Sequence, residues 1–63
     1  MPAVKVEMFT GRTMQQKRDL VRLVTDAVVQ ALDVKRAGVR VQIIEVERHH
    51  SAQGGVLRSE AEE

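Results

Sequence analysis

A single stretch with helical periodicity, set between two short alternating stretches, limits the folds open to this chain. Apolar and polar residues alternate over residues 3–9 and 39–46, as they do in half-buried strands. Between them an apolar stripe recurs at helical spacing, formed by Leu20, Leu23, Val24, Ala27, Val28, Ala31 and Leu32. Because the connections are short, this order predicts one β-α-β unit with parallel strands and a right-handed crossover.

Local signals mark where these elements begin and end. Thr13 and Gln16 have the spacing of a capping box, which satisfies free backbone amides at the start of a helix. Residues 33–38 indicate a turn, and Gly54-Gly55 predicts a hairpin leading into a short strand at 56–57. The predicted fold class is therefore α+β, with one domain over residues 1–63 and an acidic tail at 59–63 that we expect to fray.

The size and composition of the chain predict that it assembles with other copies. A chain of 63 residues has a small core, and its lack of cysteine excludes disulfides and thiolate metal sites. Phe9 is its one aromatic residue. One helix covers only one face of a two-stranded sheet, so the other face and both edges stay open to a second chain. We expect a dimer with a four-stranded sheet and a larger closed assembly.

The charge pattern argues against several classes of partner. Ten basic and nine acidic residues are interspersed, with a net charge of +1, unlike the basic patch of a nucleic-acid binder. No apolar run has transmembrane length and no signal peptide is visible, so we expect a cytoplasmic protein without a membrane partner. The pair His49-His50 lacks further ligands in sequence, and no metal site is predicted.

Pro2 is the first candidate for chemistry. If Met1 is removed, Pro2 becomes the amino terminus and carries a secondary amine. An α-amino group has an ordinary pKa of about 7.7–8.0, which burial and nearby cations lower. A neutral amine near pH 7 is a competent general base. With Met1 retained, the same nitrogen is an amide and has no basicity.

Arg12 and Arg40 are the candidate cations, because a guanidinium fork binds carboxylates bidentately. Arg40 lies near the start of the second strand, which parallel pairing brings beside Pro2. Arg12 follows the far end of the first strand, and ten mostly extended residues span on the order of 30 Å. If these residues act together, the Arg12 that meets Pro2 must therefore come from another copy, and the active site is shared between subunits.

Taken together, these residues resemble the 4-oxalocrotonate tautomerase family. The matching features are Pro2, GRT at 11–13, the run QKRDLV, VRV at 39–41 and GG at 54–55. The resemblance implies a β-α-β subunit, intersubunit sheets and a homohexamer built as a trimer of dimers. It also implies a reaction without cofactor or metal, in which Pro2 as general base ketonises 2-hydroxymuconate-type dienols, and a small dicarboxylate or 2-oxo acid as substrate.

The resemblance also implies roles for individual residues. Arg12 corresponds to the arginine that holds the distal carboxylate, and Arg40 to the one that polarises the 2-oxo or hydroxyl group with its adjacent carboxylate. Ser51 stands where the family usually has an aromatic residue that excludes water and keeps the pKa of the proline low. We therefore expect a wetter site and a more basic Pro2 amine.

Two alternatives remain open at this point. The chain could be a non-catalytic or hetero-oligomeric subunit on the same fold, or a relative that acts on a different 2-oxo acid. A dehalogenating branch of the family needs a carboxylate near position 53, and Gln53 cannot serve as a base.

Overall fold

The computed structural model of the chain describes residues 1–61. Its elements follow the predicted order: strand β1 (Ala3–Phe9), helix α1 (Met14–Leu32), strand β2 (Arg40–Val46), and the short strands β3 (Ala52–Gln53) and β4 (Val56–Leu57). Short 3-10 turns precede β2 at Arg36–Gly38 and follow it at Arg48–His50. The α+β class and the β-α-β unit with a C-terminal hairpin are confirmed. No helix in this part of the chain has both the length and the apolar character needed to cross a bilayer.

Strands β1 and β2 pair in parallel over their whole length. The register runs from Ala3 opposite Arg40 to Phe9 opposite Val46. Val4 and Val41 therefore lie on the same face, as alternating side chains on paired strands require. The second strand begins one residue later than predicted, because the amide of Val39 bonds to the carbonyl of Arg36 and closes the 3-10 turn.

Helix α1 has the predicted start and a sharp end. The Thr13 side chain accepts a hydrogen bond from the Gln16 amide at 3.0 Å, and the Gln16 side chain accepts one from the Thr13 amide at 2.9 Å. This is the reciprocal capping box. At the other end Asp33 adopts a left-handed conformation with φ 54°, and its amide bonds to the carbonyl of Val29 at 2.9 Å.

Only part of the predicted apolar stripe of α1 faces the sheet. Leu20, Val24 and Val28 are half-buried, and Lys17 pairs with Glu45 of β2 at 2.8 Å. By contrast, Leu23 is 57% exposed and Leu32 is 59% exposed. The stripe is therefore wider than one two-stranded sheet can cover, and its flank is left on the surface of the single chain.

The single chain does not enclose a core of its own. No described residue is buried, and the best covered side chains are half-buried. The radius of gyration is 15.0 Å, whereas a compact domain of this length has about 10.6 Å. The accessible surface is 5089 Å², against about 4,100 Å² for a folded monomer of similar mass. A single chain therefore leaves much of its apolar surface open to contact with other chains.

The C-terminal segment folds back as a tight hairpin. β3 and β4 pair antiparallel through Gly54 and Gly55, whose φ values of 62° and 85° suit a two-residue hairpin turn. The first part of the predicted tail is hydrogen-bonded: the Ser59 amide reaches the carbonyl of Arg48 at 3.2 Å, and the Glu60 amide that of Leu57 at 2.9 Å. The last two residues of that tail lie outside the described part of the chain.

We expect the thermal unfolding midpoint to rise with protein concentration, because stability is linked to association. Leu23→Lys should lower the midpoint and weaken assembly in sedimentation velocity, since it charges the exposed apolar flank. Arg22→Ala, which removes only an exposed ion pair with Asp19, is the neighbouring control and should change stability by less than about 0.5 kcal/mol. A midpoint unchanged over a 100-fold range of concentration would contradict this prediction.

Candidate active site

Pro2 and Arg40 meet at one end of the parallel sheet. The amide of Arg40 donates a hydrogen bond to the carbonyl of Pro2 at 3.0 Å, immediately before the register pair Ala3 and Arg40. Pro2 is half-buried, while Met1 before it is 94% exposed. Two of the predicted site residues are therefore neighbours within one chain, because the strands run parallel and in this register.

Arg12 and Ser51 meet at the opposite end of the sheet. They share an open cleft of about 610 Å³. Its lining is formed by Glu7, Met8, Phe9, Thr10, Gly11, Arg12, Val46, Arg48 and Ser51. This cleft contains both polar and apolar side chains, as small-molecule sites commonly do.

One chain does not bring its Pro2 to its Arg12. Strand β1 lies between them and has seven residues, which at about 3.3 Å per residue span about 23 Å. The four predicted site residues thus form two separate pairs. This separation is what the sequence predicts for a single copy.

Arg12 is fixed in place by the link between β1 and α1. The amide of Thr10 bonds to the carbonyl of Val46 at 3.1 Å and extends the strand pairing by one residue. Gly11 then turns the chain with a φ of 118°, a conformation that side chains beyond glycine rarely adopt. The capping box at Thr13 begins the helix directly afterwards. The backbone of Arg12 therefore lies between the last hydrogen bond of the strand pairing and the capped start of α1.

The residue that precedes the hairpin lines the same cleft. The amide of Arg58 donates to the carbonyl of Ser51 at 2.7 Å, which ties the residue after β4 to the residue before β3. Ser51 is half-buried as a result. A hydroxyl at this position adds a polar group to the cleft wall, and the wetter site stays a prediction.

Phe9 and Arg48 were not predicted as site residues, yet both line the cleft. The guanidinium carbon of Arg48 lies 4.4 Å from the centroid of the Phe9 ring, within range of a cation–π interaction. The one sequence signal that could have indicated Phe9 as a site residue is that it is the single aromatic residue and lies at a strand end. Its partner follows β2 and is distant in sequence, so only the parallel register reveals the contact.

The two adjacent histidines contact each other rather than the cleft. The rings of His49 and His50 lie edge to face with their centroids 4.3 Å apart. Nδ1 of His49 is 4.0 Å from the Glu47 carboxylate. Across residues 1–61, no group of three or more histidine, cysteine or acidic side chains is arranged to hold a metal ion.

Comparison with known proteins identifies the family of this chain. The profile of the tautomerase enzyme family matches residues 2–61. The chain belongs to the tautomerase family. It is 37% identical to a 2-hydroxymuconate tautomerase of Pseudomonas putida over 59 residues, or 94% of each chain. It is 40% identical to a 2-hydroxymuconate tautomerase of Bacillus subtilis over 62 residues, covering 98% of this chain and 100% of the relative.

Solved structures agree with this assignment. A heterohexamer 4-oxalocrotonate tautomerase from Chloroflexus aurantiacus superposes with a TM-score of 0.89 at 35% identity, covering 98% of this chain and 100% of that one. The resemblance to 4-oxalocrotonate tautomerases and the tautomerase fold are confirmed. The protein is an isomerase of the tautomerase type.

We expect Gly11→Ala to distort the turn that carries Arg12. An alanine at a φ of 118° is strained by about 1–3 kcal/mol, so stability and tautomerase activity should both fall. Gly38→Ala is the matched control, because Gly38 lacks this conformation and has open space around its Cα. Chemical denaturation of both variants at equal concentration checks the prediction. Equal stability of the two variants would contradict it.

Proposed function

We propose that the protein, once Met1 is removed, is a cofactor-free tautomerase that ketonises 2-hydroxymuconate-type dienols with Pro2 as general base. The observation that carries this proposal is the backbone hydrogen bond from the Arg40 amide to the Pro2 carbonyl, which brings the residue of the candidate base and an arginine to the same end of the sheet. The relatives named 2-hydroxymuconate tautomerase support this choice of substrate. Such a reaction belongs to the catabolism of aromatic compounds in the cytoplasm.

The proposed reaction moves one proton. The neutral nitrogen of Pro2 takes the proton of the 2-hydroxyl group, the O–H electron pair forms the C=O bond, and the double bonds shift along the chain. The prolinium then returns the proton to the carbon at the far end of the shifted double bonds, where a C–H bond forms. Atoms and charge balance without a metal or redox partner, and Pro2 ends neutral and ready for another turnover.

The two arginines have separate roles in this proposal. Arg40 polarises the developing 2-oxo group and holds the adjacent carboxylate, because charge that grows on oxygen is stabilised by a preorganised cation. Arg12, supplied by a second subunit, holds the distal carboxylate together with the wall formed around Ser51. The subunits assemble as a homohexamer, which joins the two halves of the site and covers the open apolar surface.

A second candidate is a subunit that is inactive alone and needs a different partner chain. Ser51 in place of an aromatic residue favours it, as does the heterohexameric assembly of the relative from Chloroflexus aurantiacus. This candidate predicts normal assembly with negligible turnover by the purified protein. It also predicts that loss of Pro2 changes nothing.

We expect Pro2→Ala to lower the rate by about 10²–10⁴-fold, the usual contribution of a general base. The ultraviolet change on ketonisation of 2-hydroxymuconate measures the rate. Mass spectrometry must show that Met1 is absent, because protein that retains Met1 should be inactive for the same reason. An undiminished rate in Pro2→Ala would refute the role of Pro2.

We expect substitution of Arg40 and substitution of Arg12 to change different kinetic constants. Arg40→Ala should lower kcat by about 10²–10³-fold, as loss of one oxyanion donor does. Arg12→Ala should mainly raise KM, by about 10-fold or more for a lost charge-assisted hydrogen bond. Arg22→Ala on the exposed side of α1 should leave both constants unchanged. Similar constants for all three variants would contradict the assigned roles.

A further inference from the structure

The cleft that contains Arg12 holds a second guanidinium to which none of the preceding roles is assigned. Arg48 lines this cleft together with Arg12 and Ser51. It follows β2 directly, in the 3-10 turn that leads toward the hairpin. Two arginines that converge on one small-molecule cleft are a feature expected of an anion site.

Arg48 is held at both its backbone and its side chain. Its carbonyl accepts a hydrogen bond from the Ser59 amide at 3.2 Å. Its guanidinium lies over the face of Phe9 at 4.4 Å. A guanidinium in this position over an aromatic ring keeps N–H donors that can bind a carboxylate. The side chain is thus preorganised for binding, which lowers the entropy cost of engaging a ligand.

The charges in the cleft leave these guanidinium groups available. Within residues 1–61, neither Arg12 nor Arg48 has a carboxylate in salt-bridge range, although three other lysine or arginine side chains form ion pairs. Glu7 is the acidic residue in the lining. The cleft therefore carries two positive charges against one negative charge, and an anion would restore the balance.

On the basis of the proposed function, we infer that Arg48 is a second binding residue for the distal carboxylate. Together with Arg12 it selects dicarboxylate dienols over dienols that lack the distal acid. The wall that Ser51 leaves polar is then the wall of a carboxylate subsite. Phe9 acts through Arg48, as the platform that positions its guanidinium.

The plain alternative is that Arg48 only covers Phe9 from water, since arginine stems often shield apolar surface. Arg58 offers a matched control for this alternative. Its guanidinium carbon lies 5.8 Å from the same ring, yet Arg58 does not line the cleft. A covering role would be shared by the two arginines, whereas a role in binding belongs to Arg48.

The test compares two substrates on Met1-free protein in its native assembly: 2-hydroxymuconate and the matching dienol without the distal carboxylate. Arg48→Met keeps an unbranched stem over Phe9 and removes the charge. We expect KM to rise about 10-fold for the dicarboxylate and to change less than about 2-fold for the monocarboxylate. For Arg48→Lys, the rise in KM for the dicarboxylate should be smaller than for Arg48→Met, because lysine keeps the charge and loses the planar fork.

Arg58→Ala should leave the ratio of the two KM values unchanged, even if it lowers stability. An equal rise of both KM values in Arg48→Met would overturn the inference, as would a loss of selectivity in Arg58→Ala as large as that in Arg48→Met. Unchanged KM values in Arg48→Met would overturn it as well.

A binding measurement separates this inference from the proposed reaction. Adipate and hexanoate have the same chain length and differ in the distal carboxylate, and amide NMR titration gives their affinities without turnover. We expect adipate to bind about 10-fold more tightly, and Arg48→Met to abolish the difference. If this holds while neither dienol reacts, the reaction fails and the anion subsite stands. Equal affinities in the unmodified protein would refute the subsite.

Discussion

The parallel pairing of β1 with β2 is the interaction on which the rest of the structure depends. Its first hydrogen bond joins Arg40 to the carbonyl of Pro2, and its last joins Thr10 to the carbonyl of Val46. The same ladder therefore sets the Pro2 end and the cleft end of the sheet. A slip of one residue would turn the half-buried faces outward and separate Pro2 from Arg40. Stability and site geometry are thus fixed by one register.

The helix is the element that makes this register possible, because parallel strands need a long crossover. The capping box at Thr13 and the left-handed Asp33 limit α1 to the residues between them. The ion pair of Lys17 with Glu45 then links the first turns of the helix to β2. Gly11 lets the chain leave β1 and enter the helix within a few residues, with Arg12 at the corner.

The sequence was sufficient for features that depend on neighbours along the chain. Strand alternation, the capping box and the glycine pair are local patterns, and the structure has each of them. The 3-10 turn that delays β2 was not predicted, because its two i to i+3 hydrogen bonds have no distinctive sequence pattern. The periodicity places Leu23 and Leu20 in one apolar stripe. It gives the width of that stripe, but it does not show which part of the stripe a small sheet covers.

For the candidate site, too, the sequence predicts individual residues but not contacts between segments that are distant along the chain. Pro2, Arg12 and Arg40 could be singled out from chemistry and family resemblance, and their separation into two ends followed from strand length. The contact between Phe9 and Arg48 could not be predicted in this way, because it joins the end of β1 to the segment that follows β2. The sequence predicts that Ser51 admits water to the site, but it does not reveal that Arg48 lines the same cleft.

In the proposed function, assembly and catalysis depend on the same contacts. A single chain exposes its apolar helix flank, has no buried residue in its described part, and keeps Pro2 and its own Arg12 at opposite ends of a strand about 23 Å long. A neighbouring subunit that covers the apolar surface can also bring the missing arginine. Since dissociation would expose the apolar surface and separate Pro2 from the distal anion site of the neighbouring subunit, selection for activity in such a chain also selects for assembly. This coupling explains how so small a chain can be stable without disulfides and without a core of its own.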